Sequence, residues 1–146
     1  MASGLSSSPS YNSRNGKRAL LIGNNKYTHG GQLRYCVNDA YDLANKLRNI
    51  HFEIIIGTDL TYEKMDLMVE RFLDTICPDD LVLFFFSGHG HQWEGHNYLM
   101  PIDDHRIDAP KMIKHRAINA QVTLERIMDR HSYQQLYFFL IVVAVI

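Results

Sequence analysis

The sequence predicts one α/β domain built on a doubly wound, mostly parallel sheet with helices on both faces. Three observations carry that prediction. Short apolar runs alternate with stretches in which apolar residues recur at helical spacing. The run Leu81 to Phe86 (LVLFFF) is apolar on both strand faces, as a central parallel strand must be. The chain has 146 residues, 46% of them apolar, which suffices to bury one ordinary core but hardly two.

Each element follows from its residues. Arg18 to Ile22 (RALLI) is a strand closed by the turn cluster Gly23-Asn24-Asn25. Ala40, Leu43, Ala44 and Leu47 share one helical face, with Asn38 or Asp39 placed to cap the helix. Phe52 to Ile56, closed by Gly57, is the second strand. Thr61 opens a second helix whose Met65, Met68, Val69, Phe72, Leu73 and Ile76 form an apolar stripe ended by Pro78. The methionines of that stripe read as core, because methionine fills irregular gaps between helix and sheet. After the central strand, Tyr98 to Pro101 reads as a further strand, with Pro101 and Asp103 setting a turn, and Arg106 to Arg116 as a solvated loop. A third helix turns Ala120, Leu124, Ile127 and Met128 inward before a terminal apolar run, Leu136 to Ile146. At 11 residues that run is about half the roughly 20 needed to cross a bilayer as a helix, so it reads as a buried strand. It is expected to lie beside the central one.

Composition excludes several classes of function. The net charge is −1, with basic and acidic residues interspersed, so there is no basic stripe for nucleic acid and no polybasic membrane patch. Two cysteines, Cys36 and Cys77, are too few for a disulfide framework and lack zinc-finger spacing; a reducing, cytoplasmic setting is the natural expectation. Residues 1–16, rich in Ser, Asn and Gly, have no apolar core of signal-peptide length and read as a solvated tail. The folded domain is expected over residues 17–146.

Chemistry concentrates where the central strand meets Ser87-Gly88-His89-Gly90. In open α/β sheets ligands bind outside the carboxyl ends of the strands, where His89 falls. Its glycines permit unusual dihedrals and close approach, and the Gly90 amide can face a developing oxyanion. The bland alternative is a glycine-rich turn carrying an exposed histidine. Asp39, following the first strand, adds a carboxylate near the same edge, where it also fits as the helix cap.

Several motifs in order, KRALLIGNNKY, LRYCVNDAYDLANKL, DDLVLFFFSGHGH and NYLMPIDD, resemble the large-subunit domain of caspase-like cysteine peptidases, nearest the metacaspase and paracaspase branch. The resemblance runs from about Lys17 to Leu140. It implies the caspase-like doubly wound sandwich and an endopeptidase in which His89 works with a cysteine at the end of the next strand. It implies a preference for Arg or Lys before the scissile bond, with Asp39 helping to hold that basic side chain. Peptide or protein is then the substrate, and no cofactor is implied, although the branch admits calcium dependence. It also implies a small-subunit portion or a homodimer partner beyond this chain, leaving the sheet incomplete at its C-terminal side.

The departure comes at the nucleophile. The resembling enzymes continue after the strand with Asp, a variable residue and Cys, whereas here Ile141, Val142 and Val143 follow Leu140. The nucleophile expected at Val143 is absent, and so is the pocket aspartate expected at Ile141. Asp-Cys-Cys-Arg written GAT TGT TGT CGC, on loss of its first base, becomes ATT GTT GTC GC, which reads as residues 141 to 144. A frameshifted or wrongly assembled gene, or a decayed paralogue, is therefore expected, and a chain inactive as written.

Cys77 precedes the central strand and belongs at the opposite edge from His89. Cys36 lies on the catalytic side but, just before the first helix, reads as a small buried packing residue more than a reactive thiol. Two other classes of function stay open. One is a non-catalytic pseudopeptidase that binds a partner. The other is a metal site drawn from His89, His91, His96, Asp103, Asp104 and His105, whose spacing matches no compact ligand motif; Trp93 and Gly95 suggest a loop or hairpin there instead.

Overall fold

The computed structural model describes residues 16–129 and the backbone of residues 137–145. Of the tail expected over residues 1–16, residues 1–15 lie outside the described residues, as do the side chains of the terminal apolar run, while Gly16 is held by hydrogen bonds to Asp80 and Leu81. Along the chain come β1 (Lys17–Gly23), α1 (Cys36–Asn49), β2 (Glu53–Thr58), α2 (Tyr62–Thr75), β3 (Leu81–Trp93), β4 (His96–Leu99), α3 (Ile113–Arg116), β5 (Ile118–Asn119), α4 (Ala120–Asp129) and β6 (Tyr137–Val145).

Four strands form the parallel layer in the order β2-β1-β3-β6. β4 and β5 continue from the far end of β3 as antiparallel strands. The expectation that residues 136–143 lie beside the central strand holds for the described backbone, because β6 pairs with β3 from Leu81↔Tyr137 to His89↔Val145. The two faces of the parallel layer are covered separately. Leu20, Ile22, Phe84 and Phe86 meet Met65, Val69, Phe72 and Leu73 of α2 and Ile127 of α4. Ala19, Leu21, Leu83 and Phe85 meet Ala40, Ala44 and Leu47 of α1. Burying each large side chain contributes about 1.5–3 kcal/mol, so the alternation of faces along β1 and β3 fixes which helix lies where.

Several elements differ from expectation. β3 does not stop at Phe86 but runs on through the Gly-His-Gly segment to Trp93 and turns back into β4. The glycines are accommodated in the strand, and the chain reverses at Glu94 and Gly95, both at positive φ (48° and 78°), the geometry a two-residue hairpin turn demands. Gly57 does not close β2 but lies inside it, where a Cβ would come 2.6 Å from the Met68 sulfur; glycine lets α2 approach the strand. The Arg106 to Arg116 segment is not a plain loop. It forms a 3-10 turn and the short α3, anchored by buried Ile113. In α4 Met128 is 54% exposed, and Thr123 takes the buried place because its hydroxyl donates to the Asn119 carbonyl at 2.9 Å.

At the amino ends of the strands, Asp80 is fully buried and gathers three donors. It accepts from the Gly16 amide at 2.9 Å, the Cys77 amide at 2.8 Å and Arg18 Nε at 2.6 Å. Arg18 also reaches Glu53 on β2. That edge is closed by a paired charge.

Candidate active site

The carboxyl edge is organised around the loop joining β1 to α1. Asn24 is fully buried, its amide donating to the Ser87 carbonyl at 2.9 Å and its side-chain oxygen accepting from the Leu60 amide at 3.0 Å. Asp59 accepts from the amides of Asn25 and Lys26. Asn25 in turn accepts from the Val37 amide at 3.3 Å, supplying the cap that Asn38 or Asp39 was expected to give. Those two residues cannot serve, because the helix already begins at Cys36 with Tyr35 as its N-cap.

His89 lies in β3 at this edge, half-buried. Its amide donates to Tyr27 Oη at 2.8 Å, and the Tyr27 hydroxyl donates to the Met100 carbonyl at 3.0 Å. The Tyr27 and His89 rings lie 4.4 Å apart, tilted by 59°. Tyr27 is buried, and burial pushes its phenol well above the usual range, so it remains a neutral donor. His89 Nε2 is 2.8 Å from the Gly31 carbonyl. A carbonyl only accepts, so Nε2 carries the hydrogen at this contact, and Nδ1 is the proton acceptor of the neutral ring. A group that fixes tautomer and orientation in this way is what a general base requires.

Neither Gly88 nor Gly90 has positive φ, so the unusual dihedrals expected of them are not used; Gly88 acts through space. A Cβ at Gly88 would collide with Tyr27 Oη and Phe86. Met100 donates its amide to the His89 carbonyl at 2.9 Å, so the next pair, Gly90↔Leu99, is the non-bonded one of the antiparallel alternation. The Gly90 N–H is thereby turned away from β4, toward the β6 side.

The backbone register sets position 143 opposite Ser87 and position 145 opposite His89. With neighbouring parallel strands about 4.8 Å apart, position 143 falls beside the site and in the same phase of alternation as His89. Asp39 lies in the first turn of α1, exposed, at the same edge and on the side of the sheet that carries Leu83 and Phe85. Its carboxylate makes no hydrogen bond or ion pair among the described residues and so faces solvent. Cys36 is buried at the start of α1, its backbone packed against Gly23, and Cys77 is exposed at the opposite edge; both placements agree with the sequence reading.

The residues of the metal alternative are engaged elsewhere. Asp103 accepts from the Tyr62 amide at the start of α2, Asp104 holds the β1–α1 loop, and His105 Nδ1 lies 2.7 Å from Thr28 Oγ1. His91 and His96 are exposed on the β3–β4 hairpin. Among the described residues no three His, Cys, Asp or Glu side chains are grouped for a metal, and no helix there is long and apolar enough to cross a membrane. Tyr27 and Gly31 were not singled out by sequence. Gly30-Gly31 after a strand was a visible signal; a backbone carbonyl that serves a distant imidazole has none.

Residues 16–140 match the family described as the caspase domain. Mucosa-associated lymphoid tissue lymphoma translocation protein 1 from Homo sapiens is 34% identical over 87 residues, 60% of this chain and 11% of that protein. Metacaspase-1 from Mycosarcoma maydis is 34% identical over 94 residues, 56% of this chain and 23% of that protein. Metacaspase-1 from Saccharomyces cerevisiae strain S288c is 32% identical over 90 residues, 53% of this chain and 21% of that protein. The chain thus spans under a quarter of these relatives. A crystallised protein from Geobacter sulfurreducens shares the fold with a TM-score of 0.59 at 16% identity, covering 87% of this chain and 48% of that one. The family match ends at Leu140, the residue before Ile141-Val142-Val143. With its doubly wound sheet and the Ser-Gly-His-Gly segment at the carboxyl edge, the chain belongs to the caspase-domain family.

Proposed function

We propose that this domain carries the histidine half of a cysteine endopeptidase site and that, with valine at position 143, the chain as written binds basic peptides without cutting them. The observation that supports it best is the His89 ring, anchored on the Gly31 carbonyl beside the strand that holds position 143. In the cutting form, a thiol at that position gives its proton to His89, attacks the carbonyl carbon before the scissile bond, and His89 returns the proton to the leaving amine. The Gly90 N–H faces the oxyanion, and Asp39 holds the Arg or Lys of the substrate. Valine has no ionisable group, so the covalent step is lost while His89, Gly90 and Asp39 remain. This is also what favours the pseudopeptidase reading for the chain as it stands. Two cysteines without a disulfide between them fit a reducing, cytoplasmic setting.

The test compares three proteins. The unmodified chain should hydrolyse Arg- or Lys-containing peptides no faster than His89→Ala, yet bind them with an affinity that Asp39→Asn weakens. A protein carrying Ile141→Asp, Val142→Cys and Val143→Cys, followed by a complete small-subunit sequence, should cleave after basic residues in a thiol-reagent-sensitive reaction. His89→Ala should lower that reaction by about 10²–10⁴-fold. Hydrolysis by the unmodified chain that survives Cys36→Ala would overturn the proposal, as would a folded, restored protein without His89-dependent cleavage.

A further inference from the structure

We propose that Asp104 is the positioning residue of the His89 site, acting through the loop that carries the Gly31 carbonyl; its relevance to peptide cleavage rests on the function proposed above. Asp104 is 6% exposed, and four donors converge on its carboxylate. Oδ1 accepts from the Thr28 amide at 3.0 Å, Thr28 Oγ1 at 3.0 Å and the His29 amide at 2.9 Å, and Oδ2 accepts from the Gly30 amide at 2.6 Å. Three successive backbone N–H groups aimed at one anion form a nest that fixes the dihedrals of the segment. The residue after the nest is Gly31, at φ +86° with open space around its missing Cβ. Glycine is needed there for the left-handed turn that sends the carbonyl to His89 Nε2.

Space ties the parts together. A Cβ on Gly30 would lie 2.8 Å from Asp104 Oδ2 and 3.6 Å from His89 Cδ2, so residue 30 is wedged between the carboxylate and the imidazole. The segment between β4 and Asp104 is itself pinned. Ile102 accepts from the Thr28 amide and donates to the Leu60 carbonyl, each at 2.9 Å. The chain of cause runs from the Met100–Ile102 backbone through Asp104 and the 28–30 amides to Gly31 and the ring. Adjacent Asp103 does a different job, accepting from the Tyr62 amide at 2.9 Å to start α2. The two carboxylates therefore separate a site role from a structural one and supply their own control.

Histidine side-chain 15N NMR on the unmodified chain tests this without any need for catalysis. His89 should show the Nε2–H tautomer in its neutral form. Asp104→Ala should lower the Nε2–H to Nδ1–H ratio of His89 about tenfold, the loss of one carbonyl hydrogen bond, and Asp104→Asn, which keeps an acceptor, should lower it less. Asp103→Asn should reduce stability and leave that ratio unchanged. Should Asp104→Ala fail to fold, Asp104→Asn decides by the same readout. A folded Asp104 variant with an unaltered His89 tautomer would overturn the proposal while leaving the peptidase reading intact. A shifted tautomer together with a restored protein that cleaves nothing would uphold the positioning role and remove the peptidase.

Discussion

The two edges of the parallel layer each centre on a buried aspartate, and they use it in opposite ways. At the amino edge Asp80 meets a cation, Arg18 Nε at 2.6 Å, with the Gly16 and Cys77 amides completing its shell. At the carboxyl edge Asp104 is met by backbone amides and the Thr28 hydroxyl. A charge paired with a charge seals an end of the domain. A charge satisfied by a loop's amides shapes that loop instead, and the loop's next carbonyl holds the imidazole. Stability is invested at one edge and geometry at the other, as expected when ligands approach an α/β sheet from its carboxyl ends.

Breaking the amino edge should have the largest effect on stability. Asp80→Ala leaves Arg18, whose side chain is 19% exposed, without its buried partner, and losses of about 3–5 kcal/mol are typical of that change. Chemical denaturation would measure it. If the edges are separable, the His89 tautomer in the folded fraction should not change; a shift there would end the comparison.

Tyr27→Phe tests the carboxyl edge at smaller magnitude. It removes the acceptor for the His89 amide and the donor to Met100, at a cost of about 1–3 kcal/mol. It also alters the alkaline limb of the stability curve. The folded-state phenol is raised above its usual 10.0 by burial, so above about pH 10 the unfolded chain loses a proton that the folded chain keeps. Tyr27 therefore favours the folded state fully below that pH and progressively less above it. In stability measured between pH 9 and about 11.5, the phenylalanine variant should show a decline shallower by as much as one proton. An unchanged slope would mean that the Tyr27 phenol is not buried in solution.

The same contrast explains what was legible in the sequence. The strands and α2 could be read because their signals are local: apolar runs, a stripe at helical spacing, and Thr61 followed three residues later by the amide it accepts from. The placement of His89 followed from sheet architecture. The length of β3 was missed because Gly88 and Gly90 look like a stop, whereas Gly88 is required by the Tyr27 hydroxyl that the fold brings against it. Asn25 as the cap of α1 and Asp104 as the anchor of the β1–α1 loop were missed for a common reason. Their partners are fixed by tertiary position, and those of Asp104 lie 74–76 residues away in sequence. Asp103 and Asp104 look alike as neighbouring letters, and only the fold gives them different work.

Ser87 offers the smallest and most discriminating change. It is 1% exposed, and its hydroxyl is the buried side-chain polar atom without a hydrogen-bond partner among the described residues. Backbone register sets it between Gly23 of β1 and position 143 of β6. An unpaired buried hydroxyl costs free energy, so Ser87→Ala should be neutral or stabilising by about 1 kcal/mol, read as a higher denaturation midpoint at unchanged m-value. The proposed site makes a sharper demand. If position 143 is where a nucleophilic sulfur belongs, Val143→Cys gives the Ser87 hydroxyl a neighbour to bond, and Ser87→Ala should become destabilising in that background. The double-mutant cycle should show a coupling of about 0.5 kcal/mol or more. A cycle with no coupling would place the sulfur elsewhere and detach position 143 from the His89 edge.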